Sequence, residues 1–160
     1  MNHEQSLRHL RRANAVAQRA ASLGRHPFGA LLVAPDGETV LAEQGNIDTV
    51  HHAEATLART ASLNYSRDYL GHCTLVTTFE PCAMCAATAY WVNIGHIVYG
   101  ASEEALLELT GNSDENPTLN LPCRTVIAAG QKAITVAGPF SELADELIEI
   151  HRDFWHSPTP

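Results

Sequence analysis

The chain is 160 residues long, which fits one domain better than two and is enough to enclose a hydrophobic core. Hydrophobic residues make up 45% of it and charged residues 18%, a globular composition that excludes a disordered chain. The formal net charge of −8 weighs against nucleic-acid binding. The sequence leaves one alternative open, a local basic patch in the first helix formed by Arg8, Arg11, Arg12 and Arg19.

The sequence carries no signal for a membrane or for export. It has no run of about 18 apolar residues that could span a bilayer. Its arginine-containing start lacks the apolar block of a secretory signal. Four cysteines in such a chain predict thiols or metal ligands and not disulfides. We therefore expect a single domain over residues 1–160, cytoplasmic and without membrane contact.

Hydrophobic spacing predicts the elements in chain order. A helix over 4–23 is followed by a hairpin of strands 28–34 and 38–45 around a Pro-Asp-Gly turn. Further helices are predicted over 52–63, 81–92, 102–109 and 122–130, and further strands over 73–78, 96–101 and 133–137. The segment 141–155 is predicted as a helix with Leu143, Leu147, Ile150 and Phe154 on one face. This alternation predicts an α/β fold, a three-layer αβα sandwich around a mixed five-stranded sheet.

Two short motifs point to a metal site. His52 and Glu54 form an H-x-E motif, and Cys82 and Cys85 follow Pro81 in a P-C-x-x-C motif. Each motif begins a predicted helix next to the sheet, so both helix starts can meet at one end of it. The two cysteines face the same way, and helix N-termini favour thiolates. We predict one zinc ion on His52, Cys82 and Cys85, with the fourth tetrahedral position open for water.

Glu54 gives the predicted metal site a catalytic residue. Zinc can lower the pKa of bound water to about 7, and a carboxylate beside it can move protons to the substrate and to departing ammonia. The H-x-E and P-C-x-x-C pairing also matches a known signature of zinc nucleobase deaminases. The alternative is a non-catalytic zinc module closed by Cys73 or Cys123, two residues that fit better as buried thiols.

From about residue 6 to residue 155 the sequence resembles the cytidine and deoxycytidylate deaminase superfamily. The zinc ligands of that superfamily match His52, Cys82 and Cys85, and its proton shuttle matches Glu54. The block TTFEPCAMCAATAYW, preceded by GALLV and a hairpin, is most similar to bacterial guanine deaminases and to bacterial tRNA adenosine deaminases. The resemblance implies a cytidine deaminase-like fold, hydrolytic deamination and a homodimer or larger assembly.

Three residues are candidate substrate contacts. Phe28 in the HPFGA tract and Trp91 in the AYW tract resemble the guanine deaminase branch, and both could instead be core residues. Asn46 matches an asparagine that contacts the base in both branches, and its alternative is a turn residue at a strand end. We therefore expect a small-molecule substrate, with guanine favoured, and no nucleic-acid partner.

The sequence also departs from both branches. The segment from Asn46 to His52 is shorter than usual, and His51 within it could be a surface residue at the helix start. The segment 110–122 lacks the guanine deaminase pattern, in which an acidic residue contacts the amino-pyrimidine edge. The candidates for that acidic residue are Glu103, Glu104, Asp114 and Glu115. Isocytosine, cytosine or an aminotriazine thus remain open as substrates, and the competing function is a tRNA-specific adenosine deaminase.

Phe154 and Trp155 either cap a pocket or pack as an ordinary tail, and the C-terminal helix can reach a neighbouring subunit.

Overall fold

A mixed five-stranded sheet forms the middle layer in a computed structural model that describes residues 1–111, 114, 116–152, 154 and 155. Its strands are β1 (Gly29–Val33), β2 (Val40–Gly45), β3 (Thr74–Phe79), β4 (His96–Ala101) and β5 (Thr135–Ala137). They lie in the order β2-β1-β3-β4-β5. β1 is antiparallel to both β2 and β3, whereas β3, β4 and β5 are parallel. The predicted α/β fold with a mixed five-stranded sheet is confirmed.

The helices follow the predicted order along the chain. They are α1 (His3–Ser22), α2 (Ala53–Asn64), α3 (Arg67–Leu70), α4 (Ala83–Val92), α5 (Glu103–Thr110), α6 (Cys123–Ala128) and α7 (Ala144–Arg152). The sequence pattern did not predict α3, because its four residues are too few to carry a helical period. Ser66 begins α3 by accepting a hydrogen bond from the Tyr69 amide. None of the described helices is long and apolar enough to cross a bilayer, and a cytoplasmic location stays a prediction.

Side chains from the two faces of the sheet enter two separate cores. On β1, Ala30 and Leu32 pack under α2, α4 and α6, whereas Leu31 and Val33 pack under α1 and α7. Successive side chains of a strand point to opposite faces, so a continuous apolar strand is covered on both sides. The three-layer αβα sandwich follows from that burial.

The C-terminal helix differs from its prediction in extent and in its buried face. A 3-10 turn (Ser141–Leu143) precedes α7, and the described residues beyond the helix lie in a turn. The buried line runs through Leu143, Leu147 and His151, while the predicted Ile150 is half-buried. A Cβ atom on Gly100 would lie 2.1 Å from the Leu147 side chain, so the glycine lets α7 approach β4. The apolar face of α7 is therefore buried within its own chain.

The four cysteines, all of them in the described part of the chain, are not joined by disulfides. Cys73 and Cys123 are buried away from the metal-site motifs, and burial raises the pKa of Cys73 to about 11 and that of Cys123 to about 12. Both therefore remain protonated and unreactive at neutral pH.

Candidate active site

The two motifs meet at the end of the sheet where β3 finishes. His52 is the residue before α2 and Cys82 the residue before α4, and neither side chain caps its helix. Cys85 lies in the first turn of α4. The His52 Nδ1 atom is 3.6 Å from the Sγ atom of Cys82 and 3.6 Å from the Sγ atom of Cys85. The predicted convergence of the two helix starts is thus present in the fold.

The spacing of these three side chains fits zinc. Tetrahedral zinc, with its usual bond lengths to sulfur and nitrogen, separates a sulfur from a nitrogen by about 3.5 Å, close to the observed separations. All three ligand atoms lie within 4.8 Å of one another. His52 Nε2 donates to the Thr49 carbonyl at 3.1 Å, which leaves Nδ1 as the nitrogen that faces the two sulfurs and can bind a metal once deprotonated. The donor set of two thiolates and an imidazole is one that zinc prefers.

The three ligand side chains share protons in the metal-free protein. The pKa of Cys82 is lowered to about 4, first by a hydrogen bond from the Cys85 thiol and then by His52. The hydrogen bond to Cys82 raises the pKa of His52 to about 9, and the Cys82 thiolate raises the pKa of Cys85. A metal ion bound here would displace the protons of Cys85 and His52, so its affinity depends on pH.

Glu54 lies buried beside the three ligands, in the first turn of α2. Its Oε2 atom is 3.6 Å from the Cys85 sulfur, and its Oε1 atom accepts a hydrogen bond of 2.9 Å from the Thr77 hydroxyl. Burial raises the pKa of Glu54, and the negative charge of Cys82 raises it further. A carboxyl group with a raised pKa can both take up and release a proton near neutral pH. The sequence did not indicate Thr77, because it is one of three threonines in the buried strand β3.

A cavity of about 30 Å³ adjoins the ligands, enough for about one water molecule. It is lined by two metal-ligand side chains, three buried acids, two aromatic rings and two further residues: His52, Cys82, Glu54, Glu80, Glu103, Phe28, Phe79, Leu106 and Asn116. The cavity combines apolar walls with a few polar groups, which is the usual character of a site for a small organic molecule.

The structure separates the four candidate acids. Glu103 is buried and lines the cavity. Glu104 and Asp114 are exposed, and Glu115 lies outside the described residues. Burial, and then the charge of Cys82, raises the pKa of Glu103 to about 8. In the metal-free protein, therefore, Glu103 is largely a neutral carboxylic acid at pH 7, able to donate a hydrogen bond into the cavity.

Glu80 holds Glu103 in position, a role that sequence reasoning missed. Its carboxylate accepts hydrogen bonds from the backbone amide of Glu103 at 3.3 Å and from that of Cys123 at 2.8 Å. It therefore ties together the starts of α5 and α6, where helix N-termini favour a negative charge. The available signal was its place directly before Pro81 in the second motif.

Of the three predicted substrate contacts, the structure brings Phe28 to the cavity. Asn46 is buried next to Phe28, whose carbonyl accepts the Asn46 amide at 3.0 Å, but it is not a lining residue. Its side-chain amide donates to the Asp48 carbonyl. Trp91 is 75% exposed on α4, beside Tyr90 and away from the cavity lining. Trp91 does not line this cavity in the single chain, and its role as a pocket wall stays a prediction.

One aspartate stabilises the short turn before α2. Asp48 accepts hydrogen bonds from the backbone amides of Val50 and His51, which lower its pKa to about 2. The exposed His51 ring lies 2.8 Å from the same carboxylate. His51 is thus a surface residue of this turn, and the turn places His52 beside the two ligand cysteines.

This arrangement of two cysteines, a histidine and a buried glutamate is the one that zinc-dependent nucleobase deaminases use. The comparison with known families agrees. This chain belongs to the cytidine and deoxycytidylate deaminase family, whose zinc-binding region matches residues 3–101.

The names of similar proteins state different substrates. The probable cytosine deaminase of Schizosaccharomyces pombe is 36% identical over 155 residues, 95% of this chain and 93% of that protein. The guanine deaminase of Bacillus subtilis is 36% identical over 106 residues, 63% of this chain and 65% of that protein. The tRNA(Ile)-lysidine synthase of Deinococcus radiodurans is 43% identical over 108 residues, 64% of this chain, but this chain covers only 18% of that enzyme.

Solved structures share the fold. The guanine deaminase of Nitrosomonas europaea superposes with a TM-score of 0.72 at 22% identity, over 92% of this chain and 83% of that chain. A tRNA:A34 deaminase superposes with a TM-score of 0.62 at 28% identity, over 86% of this chain and 94% of that chain. The cytidine deaminase-like architecture is therefore established, and these likenesses leave the substrate open.

Proposed function

We propose that this deaminase acts on a free nucleobase or a similarly small aminated ring. The observation that carries the proposal is the position of Glu54, buried in contact with a ligand cysteine and lining the same small cavity as His52 and Cys82. A zinc site of purely structural use would not need a buried carboxyl group there.

The proposed reaction exchanges a ring amino group for oxygen. Zinc held by His52, Cys82 and Cys85 would supply the acidity that makes water a nucleophile near neutral pH. Glu54 takes a proton from the attacking water and gives it to the ring nitrogen beside the amino-bearing carbon. Glu54 then takes the remaining proton of the added hydroxyl group and gives it to the amino group, so that the C–N bond breaks, ammonia leaves and the ring carbonyl forms. Thr77 holds the other oxygen of Glu54 in place.

The cavity favours a single six-membered ring. A volume of about 30 Å³ must widen before any base can enter, and a purine needs more room than a pyrimidine or a triazine. The relative that aligns over nearly the whole chain is named a probable cytosine deaminase. The sequence favours guanine because of Phe28 and Trp91, but of these two residues only Phe28 lines the cavity. We therefore propose cytosine, isocytosine or an aminotriazine ahead of guanine.

Glu103 is the proposed contact to the edge of the ring. It is the one candidate acid that is both described and part of the cavity lining. Its carboxyl oxygens can accept hydrogen bonds from ring N–H or amino groups, and its protonated form can also donate one to a ring nitrogen or carbonyl. Phe28 and Phe79 would flank the ring, and Asn46, directly behind Phe28, remains a proposed contact that needs a change of side-chain position.

The arginines of α1 do not form a free basic patch. Each is paired with a glutamate: Arg8 with Glu38, Arg11 with Glu146, and both Arg12 and Arg19 with Glu43. These are partly exposed pairs that add little stability, yet they neutralise the surface on which a tRNA would depend. They support a free-base substrate over the tRNA adenosine deaminase alternative.

A homodimer remains part of the proposal, on a different surface from the one expected. The apolar face of α7 is used within the chain, so it does not call for a partner. Leu63 on α2 is 87% exposed and Trp91 on α4 is 75% exposed, and these two helices pack against each other. Contiguous exposed apolar surface marks interaction sites, and we propose that these two side chains belong to one such surface.

Ammonia release from a panel of compounds tests the substrate. The panel contains cytosine, isocytosine, an aminotriazine, guanine, cytidine, adenosine and a tRNA anticodon stem-loop. We expect turnover on a single-ring base, greatly reduced in Glu103→Gln and unchanged in the matched variant Glu104→Gln, which alters an exposed neighbour. Conversion of adenosine to inosine in the stem-loop, with every free base untouched, would contradict the proposal.

A further inference from the structure

A polar ring occupies a core position in the C-terminal helix. His151 is 1% exposed and follows Leu147 by four residues, where an apolar side chain would continue the buried line of α7. Its Nδ1 atom accepts a hydrogen bond of 3.1 Å from the Trp155 indole N–H, so its own proton is on Nε2. Nε2 has no well-formed hydrogen bond among the described residues, and the Pro27 carbonyl is only a weak acceptor for it.

This arrangement is costly if His151 serves only as packing. A buried N–H group without a full hydrogen bond destabilises a fold, and a phenylalanine ring would fill the same space without that cost. What a phenylalanine cannot do is accept the Trp155 proton. The hydrogen bond from the Trp155 indole therefore explains why a polar ring stands at position 151.

The hydrogen bond between Trp155 and His151 links the last described residue to the aromatic rings that line the cavity. The His151 ring centroid is 4.6 Å from that of Phe79 and 5.1 Å from that of Phe28, the two aromatic residues that line the cavity. Trp155 itself lies 6.2 Å from Phe28 and 4.9 Å from His26. Trp155 lies beyond the last residue of α7, so the helix alone does not fix its position.

We propose that His151 is a positioning residue for the substrate cavity. By accepting the Trp155 indole proton it holds the segment after α7 against Phe28, and this sets the aromatic wall that faces the ring of the substrate. His151 touches neither the metal ligands nor the reacting atoms, and its effect passes through Phe28 and Phe79. Only the identity of the bound ring rests on the proposed function.

Two conservative variants separate the hydrogen bond from packing. His151→Phe keeps a ring and removes the acceptor, and Trp155→Phe keeps a ring and removes the donor. With zinc bound, we expect KM for the best substrate of the panel to rise on the order of tenfold in each, with kcat within about threefold, because Glu54 and the ligands are unchanged. The double variant should be no worse than either single variant, since both lose the same bond.

A second measurement needs no substrate. In a Trp91→Phe background, Trp155 is the sole tryptophan of the chain. Quenching of its fluorescence by acrylamide should increase at least about twofold when His151→Phe is added, because a side chain freed from its contact is reached more easily. His72→Phe, at an exposed histidine before β3, is the matched control and should change neither quenching nor KM.

The outcomes are distinct. If His151→Phe lowers only thermal stability, with quenching and KM as in its background, the ring is packing and the proposal is wrong. Additive KM effects in the double variant would also overturn it, since the two residues would then act separately. If the wild-type protein converts none of the small rings, the proposed function fails, and the quenching comparison still decides whether His151 holds Trp155.

Discussion

Metal binding depends on single side chains at two helix starts. Removing the Cys85 thiol leaves His52 and Cys82, and two ligands cannot hold zinc tightly. We expect about one zinc per chain in the wild-type protein and no tightly bound zinc in Cys85→Ala, measured by elemental analysis after dialysis. Cys73→Ala, which removes a buried thiol elsewhere, should keep its zinc. Full zinc occupancy in Cys85→Ala would remove Cys85 from the ligand set.

Glu54 should matter for turnover and not for the metal. We expect Glu54→Ala to keep zinc and fold while kcat falls about 10,000-fold, the upper end of the range for proton transfer, because one carboxyl group serves both the water and the leaving amine. Thr77→Val, which removes only the hydrogen bond to Glu54, should give a smaller loss. A Glu54→Ala variant with a tenth of wild-type activity would show that another group moves the protons.

The C-terminal helix should make the protein sensitive to acid. Burial lowers the pKa of His151 from its usual 6.5 to about 3. Between these two values the unfolded chain binds a proton that the folded chain does not, so stability falls as the pH drops below 6.5. The free energy of unfolding should fall by up to about 1.4 kcal/mol per pH unit from this residue.

His151→Phe isolates that contribution. Zinc release at low pH affects both proteins alike, so the difference between their unfolding curves, measured with urea from pH 7 to pH 4, reports on His151. The variant should lose less stability on acidification than the wild-type protein does. Parallel losses in the two proteins would mean that the folded protein protonates His151 with the same pKa as the unfolded chain does.

The charge distribution of the molecule should leave catalysis insensitive to salt. The formal net charge is −8, and the arginines of α1 are paired with glutamates. A protein that makes six to ten phosphate contacts loses about 10³ to 10⁵ in affinity between 50 and 200 mM salt. For this enzyme we expect kcat/KM on its best free base to change by less than about twofold over that range. A steep decline would indicate a polyanionic substrate.

The assembly state is a separate prediction. Exposed Leu63 and Trp91 lie on two adjacent helices, and a partner covering them would bury their apolar surface. We expect light scattering at micromolar concentration to give twice the chain mass of 17.3 kDa, or more. Leu63→Glu should weaken the association. A wild-type protein that remains monomeric at these concentrations would refute the dimer.

Much of this molecule could be predicted because its signals are local. The five strands and the candidate metal site follow from alternation and short spacings, which are properties of neighbouring residues. Because α2 and α4 both begin at the same end of the sheet, His52 and Cys82 lie close together. The family resemblance added the expected reaction, and the match over residues 3–101 confirmed the family.

What only the tertiary structure decided are contacts between residues distant in sequence. No local pattern distinguishes Glu103 from Glu104, since burial under neighbouring elements selects one of them. The same holds for Trp91, which is exposed on α4, and for His151, which is buried although the predicted apolar face contained Ile150 and not His151. Periodicity identifies the face of a helix, whereas packing against other segments determines which side chains on that face meet the core, the solvent or the substrate.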